Sequence, residues 1–358
     1  MFMTPSRRRP WGRRAAIALV QASLLASVAL PALSLPAMAQ EAQSANLDRD
    51  MPERIPGAQP DPKSLEGGIW ADAAKAERQA RTSGERDTDP ALEAYVSGVE
   101  AKVAGPFAGD IRMYVMDRPF FNASVSPNGY GEVWSGLLLR CETEDELAFV
   151  LGHETGHFRH SHGLKRYQEV KAGSNTAMVA MLVIGVAAAA SAAASTPAGT
   201  TYRPVGGYSG TLIDLTYLGT IAVLMGYSRD TEAQADAYGL IYENKAGYFT
   251  GSGAALWTRM IEETQASDYE KVRRLPTRTN VFGSHPLESE RITLLNALDR
   301  QLHGGALATR DAAEAKAARA AYRAHVRPYL GRWLKDDLRR QDYGQTLYLI
   351  DHLSADGE

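Results

Sequence analysis

Hydrophobic and polar residues follow one another along this chain in blocks of clearly different period. From Ile69 to Ala80 apolar positions recur at helical spacing, and a second helix is predicted from Pro90 to Val103 with Asp89 as its N-cap. "IRMYVM" at 111–116 alternates like a strand. "FNASVSPNGYGEVWSG" then predicts a strand, a Pro-Asn-Gly turn and a second strand. The next helix announces its own start. Thr143 with Glu146 three residues later forms a capping box, and the acids at 144 to 146 suit the positive end of the helix dipole.

Beyond this helix, nothing between Lys171 and Arg203 is charged, and "TAMVAMLVIGVAAAASAAAS" is long enough to cross a bilayer. A second apolar stretch, "LIDLTYLGTIAVLMG", contains Asp214 and is too short beyond it to span. The pair is expected to form a helical hairpin at about 174–227, packed on a soluble domain, touching the membrane or covering a cleft. The rival expectation is a membrane-embedded protein. More helices follow to about Arg300. The region 301–358 is expected as a helical extension, in which "LRRQDYGQTLYLIDHL" has the look of one tetratricopeptide-type helix, a vestige or a docking helix. The fold class is therefore α+β, mainly helical, with a small sheet.

The N-terminus changes the charge picture. Arg7, Arg8, Arg9, Arg13 and Arg14 precede the apolar run "AAIALVQASLLASVAL", and Ala37 and Ala39 stand at the small-residue positions of a cleavage site. Residues 1–39 thus predict a secretory signal peptide, and 40–67, rich in Pro, Gln and charge, a linker or loosely draped arm. Removing those five arginines from 39 basic residues leaves 34 against 42 acids, a net of −8, which argues against a nucleic-acid partner. Cys141 is the single cysteine and cannot form an internal disulfide, so the fold must rest on its core. These features fit an exported protein of the periplasm.

The candidate chemistry lies in "LGHETGHFRH". Residues four apart share a helix face, so His153 and His157 project side by side with Glu154 next to them. Two imidazoles suit zinc, and the carboxylate is placed to take a proton from a metal-bound water. A catalytic zinc wants a third protein ligand. His160 and His162 are expected to be exposed or behind the ligands near the helix end. The better candidates are in "SRDTEAQADAYG", where Glu232 and Asp236 are again four apart on a helix capped by Ser228 or Asp230. Such a helix can bring Glu232 to the open side of the histidine pair, leaving Asp236 to bond a ligand imidazole or act on the reacting peptide.

The combination of HExxH at 153–157 with "SRDTEAQAD" at 228–236 resembles peptidase family forty-eight of clan MA, which includes the HtpX, Oma and BepA types. "FNASVSPNGYGEVWSGLL" upstream and "SHPLESERI" at 284–292 extend the resemblance over roughly residues 70 to 300. It implies a zincin-like fold with one Zn2+ per chain, held by His153, His157 and Glu232. Glu154 would be the general base, and Asp236 would support catalysis. His285, in the family's "SHP" segment, is expected near the developing oxyanion or on the fourth zinc position of a latent state. Arg229 is expected to pair with Asp236 or Glu232. Asn122 and Ala123 are expected on an edge strand that binds the substrate backbone. The implied activity is a zinc endopeptidase domain at 68–300 acting on polypeptides, namely misfolded or misassembled envelope proteins. The alternative is a chaperone-like assembly factor with latent proteolysis.

Overall fold

The computed structural model describes residues 53–172, 227–273 and 289–355. The expected signal peptide, the apolar hairpin (apart from Tyr227) and His285 lie outside the described residues. Eleven α-helices and three strands are described, besides a short 3-10 helix at Gly105–Phe107: α1 Leu65–Thr82, α2 Pro90–Ala104, β1 Arg112–Met116, β2 Ala123–Val125, β3 Tyr130–Trp134, α3 Ser135–Arg140, α4 Glu144–Arg159, α5 His162–Ala172, α6 Arg229–Lys245, α7 Ser252–Gln265, α8 Glu270–Arg273, α9 Ser289–Leu302, α10 Ala312–Leu338 and α11 Tyr343–Ala355.

The sequence predicts most of these starts through capping residues. Asp89 accepts from the Ala91 N–H at 2.9 Å, as expected for α2. At α4 the capping box is shifted by one residue. Thr143 accepts from the Glu146 N–H, but the Glu146 carboxylate reaches back to the Glu142 N–H at 2.8 Å. Helix α1 begins four residues earlier than its apolar periodicity suggests, because Ser64 caps it by accepting from Gly67 N–H. The described end of the expected linker is anchored. The Arg54 N–H donates to Arg159 O at 2.8 Å and its guanidinium to Ser161 Oγ at 3.0 Å, tying residues 53–54 to the end of α4.

The sheet runs β1-β3-β2, with β1 parallel and β2 antiparallel to β3. Gly129 closes the predicted Pro-Asn-Gly turn with φ +80°, a conformation that favours glycine, and its N–H bonds Ser126 O at 2.8 Å. A bridge from Arg86 covers the outer side of β1, whereas β2 has no strand beyond it among the described residues. That edge faces α4.

Helix α4 is the axis of the domain. Every residue from Asp145 to Phe158 is buried, so its polar side chains point into protein and must be matched there. Leu147, Phe149 and Leu151 join a core that also takes Val96 of α2, Val133 of β3, Leu256 of α7 and Leu295 of α9. The C-terminal region is not set apart from this core. Tyr322, Val326 and Trp333 of α10 and Leu349 and Leu353 of α11 belong to the same apolar cluster. A buried ion triad fastens them: Arg140 of α3 bonds Glu263 of α7 at 2.6 Å and Asp337 of α10 at 2.8 Å. No helix among the described residues is long and apolar enough to cross a membrane.

Candidate metal centre

His153 and His157, one turn apart on α4, set their Nε2 atoms 3.1 Å from each other. Helix α6, capped by Ser228, lays Glu232 across them. One carboxylate oxygen lies 3.6 Å from His153 Nε2 and the other 3.8 Å from His157 Nε2. One ligand atom from each of the three residues thus falls within 4.8 Å of the other two, and all three residues are buried.

Small residues allow this approach. A Cβ on Gly239 of α6 would stand 3.0 Å from the His153 backbone nitrogen, and one on Gly156 of α4 would stand 2.9 Å from Tyr238 Cβ. Side chains at these crossings would push the helices apart and carry Glu232 away from the histidines.

Behind the ligands sits a charged layer. Asp236 Oδ1 is 3.0 Å from His153 Nδ1. Arg291 of α9 donates to both Asp236 oxygens at 2.6 Å, and its third nitrogen lies 3.2 Å from Glu232. Burial alone would raise the Asp236 carboxyl. The Arg291 charge and hydrogen bonds, with His153, override it and hold Asp236 down to about 2. Burial opposes the charge on Arg291 as well, but Asp236 and Glu232 raise its pKa above the ordinary value.

This layer sets the tautomers. Facing a carboxylate, His153 Nδ1 carries the proton and leaves a lone pair on Nε2. His157 Nδ1 lies 2.9 Å from His162 Nδ1. Burial pushes His162 down to about 3, so it stays neutral and can accept there. Two imidazole lone pairs and a carboxylate then converge on one point, with Glu154 alongside and Arg291 as the balancing cation. That donor set fits a divalent metal ion, which would relieve the repulsion between the lone pairs.

Glu154 is buried and lines a small cleft with Asn122 and Ala123 of the edge-strand region and with His153. Tyr227, just ahead of α6, stacks on His157 at 3.8 Å.

One expectation needs correction, and two that were open are narrowed. The guanidinium set against Asp236 and Glu232 is Arg291, whereas Arg229 is exposed in the first turn of α6. Asp236 was open to two roles, and geometry gives it the one behind His153, since both its oxygens are occupied by Arg291 and the imidazole. Of the two settings open to His160 and His162, the structure has both buried, and His162 stands behind the ligand His157. Arg291 was within reach of sequence reasoning, for it stands inside "SHPLESERI", where attention falls on His285. His162 had no comparable signal, because its place depends on the turn at Ser161, with φ +54°.

The profile of peptidase family M48 matches residues 86–299, which contain every residue of this centre. The chain belongs to peptidase family M48. It is 29% identical over 210 residues to a Vibrio cholerae protein that carries the name beta-barrel assembly-enhancing protease, covering 57% of this chain and 38% of that one. It is 30% identical over 148 residues to the mitochondrial metalloendopeptidase OMA1 of Schizosaccharomyces pombe, covering 41% and 37% of the two chains. It is 31% identical over 174 residues to the metalloprotease LoiP of Escherichia coli, covering 48% and 55%. The match thus spans 37% to 55% of the length of these M48 relatives. A metal ion is implied by the M48 family, and His153, His157 and Glu232 are the residues arranged to hold it.

Proposed function

We propose that this chain is a zincin-like, zinc-dependent endopeptidase, exported to the periplasm, that hydrolyses unfolded or misassembled envelope proteins. The observation that carries this reading is the convergence of His153, His157 and Glu232 next to Glu154, in a cleft shared with the start of β2. Zinc held by those three residues would polarise the scissile carbonyl and acidify the attacking water. Glu154 takes the proton of that water and delivers it to the leaving amine. Asp236 holds the Nδ1 proton of His153 and so fixes the ring with Nε2 toward Glu232. Arg291 keeps Asp236 ionised for that task. His285 is proposed as the donor for the developing oxyanion.

The edge strand supplies substrate binding. Asn122 O accepts from Trp134 N–H at 3.0 Å, so in the alternating ladder the N–H and C=O of Ala123 turn away from β3. An extended polypeptide can pair with them as an added strand. Recognition by backbone favours unfolded clients. The basic, apolar and A-x-A order of residues 1–39 supports export, and the name of the Vibrio cholerae relative supports an envelope setting. The uncharged stretches in 174–226 support peripheral membrane contact.

The test uses elemental mass spectrometry and degradation of an unfolded outer-membrane protein. One zinc per chain is expected in the parent and in Glu154→Gln, and clear loss in Glu232→Ala. Degradation should require both glutamates. Full zinc in Glu232→Ala, or degradation that persists in Glu154→Gln, would overturn the assignment.

A further inference from the structure

Three arginines from different helices border one small crevice where α10 and α11 pack on α7 and on the end of α3. They are Arg140, Arg259 and Arg323. Two of them are answered by acids. Arg140 sits between Glu263 and Asp337, and Arg259 of α7 holds Glu146 and, at 3.4 Å, Glu142. Each of those four carboxylates is therefore already engaged with a guanidinium.

Arg323 of α10 is the exception. It is 4% exposed, and its Nε and Nη1 have no hydrogen-bond partner in the protein. No carboxylate pairs with it among the described residues. Nor can it swing out to water, because its turn of the helix is pinned. The neighbouring Tyr322, fully buried, donates its hydroxyl to Leu138 O of α3 at 2.7 Å, and Val326 one turn on is buried as well. A guanidinium held in this way without a counter-ion is costly, since burial strips its hydration and returns nothing.

The crevice limits what can answer that charge. Met260 of α7 and Tyr348 and His352 of α11 close its other sides, and the free space is on the order of one water molecule. Phosphate, sulfate and carboxylates are each several heavy atoms across and do not fit. A water molecule fits and can accept an N–H, but it brings no charge. A halide ion is only slightly larger than water and brings both.

We propose that Arg323 binds a chloride ion in this crevice, as the counter-ion that the protein itself does not supply. Glu142 and Glu263 also border the space and would repel an anion close to their oxygens. Each is drawn to its own arginine, so the ion belongs against the uncommitted N–H groups of Arg323. Bound there, it joins α10 to α3, α7 and α11. Glu142 immediately precedes Thr143, the cap of α4, so the ion also steadies the docking of the C-terminal helices at the start of the helix that carries HExxH.

The experiment follows urea unfolding of the zinc-loaded full chain at constant ionic strength, with chloride replacing gluconate, an anion too large for the crevice. One ion bound to the folded state alone makes the unfolding constant fall about tenfold for each tenfold rise in chloride above its dissociation constant. Bromide should act in the same way. In Arg323→Met the dependence should vanish. In gluconate alone this variant should be at least as stable as the parent, because the buried charge without a partner is gone. A parent indifferent to chloride would overturn the proposal, as would an equal slope in Arg323→Met. If that variant fails to fold, crystals of the parent grown in bromide decide. An anomalous peak within hydrogen-bonding distance of the Arg323 guanidinium supports the site, and no peak there removes it.

Discussion

Arg291 grips both oxygens of Asp236 at 2.6 Å, from a position 55 residues further along the chain. Through that grip, helix α9 acts on the imidazole of His153 by way of Asp236. Replacing Arg291 by Met leaves two carboxylates buried beside the ligands with that counter-ion gone. Loss of one partner from a buried pair typically costs about 3–5 kcal/mol, and loss of an outer partner of a metal ligand lowers affinity roughly 10- to 100-fold. Urea denaturation and competition with a zinc chelator should show both effects. Arg291→Lys should fall between, because an ammonium cannot form the two parallel bonds. Unchanged zinc affinity in Arg291→Met would mean that α9 has no part in the site.

Ala123→Pro tests the edge strand. The N–H it removes points away from β3, so the sheet should keep its ladder. Substrate pairing should suffer instead: KM for an unfolded protein is expected to rise several-fold while bound zinc and the melting temperature hold. A fall in kcat with KM unchanged would place the residue outside substrate binding.

Gly239→Val tests the helix crossing. Its new Cβ would meet the backbone at 3.0 Å from His153 N and 3.1 Å from Phe149 O, where no side chain can yield. Overpacking of this kind costs about 1–3 kcal/mol. Zinc content and the urea midpoint should drop together, since the same shift moves Glu232 off the histidines. A variant that is destabilised yet fully loaded with zinc would separate packing from ligand geometry.

Glu100 offers a pH signature. It is buried behind α4, with Oε1 accepting from the Thr155 hydroxyl at 2.8 Å and Oε2 lacking a hydrogen-bond partner. Burial raises its carboxyl to about 8, against the Thr155 hydrogen bond, and the nearby Glu154 charge adds to the rise. The native state therefore keeps a proton that the unfolded chain releases above its model value of 4.5. Stability should fall as pH climbs from about 4.5 to about 8, by a few kcal/mol at most, and level off beyond. Glu100→Gln keeps the acceptor for Thr155 and should flatten that slope. Urea midpoints across the window decide it: parallel curves for parent and variant would locate the pH dependence elsewhere.

The parts of the site that lie within one helix were readable from the sequence. His153, Glu154 and His157 share a face by spacing alone, and Asp89 and Thr143 mark helix starts because capping chemistry is local. Glu232 became readable through its own four-residue spacing and through the family resemblance. What stayed hidden depends on contacts between distant segments. Nothing near Asp236 in sequence says that Arg291 will neutralise it, and nothing near His157 says that a left-handed Ser161 will fold His162 behind it. The C-terminal helices carried an apolar pattern but no statement of which surface they would cover. Arg323 was unremarked for the same reason, since only the fold shows that Arg140 and Arg259 take the acids nearby.

The triad of Arg140, Glu263 and Asp337 also bears on biosynthesis. The chain is made from its N-terminus, so HExxH and Glu232 are all translated before Asp337 exists. Until it arrives, Arg140 lacks one of its two buried counter-ions, and the core around α4 lacks Tyr322 and Val326. An unfinished polypeptide therefore holds all three metal-binding side chains without the packing that aligns them. The last helices of the fold thus complete the packing of the first ones to be made.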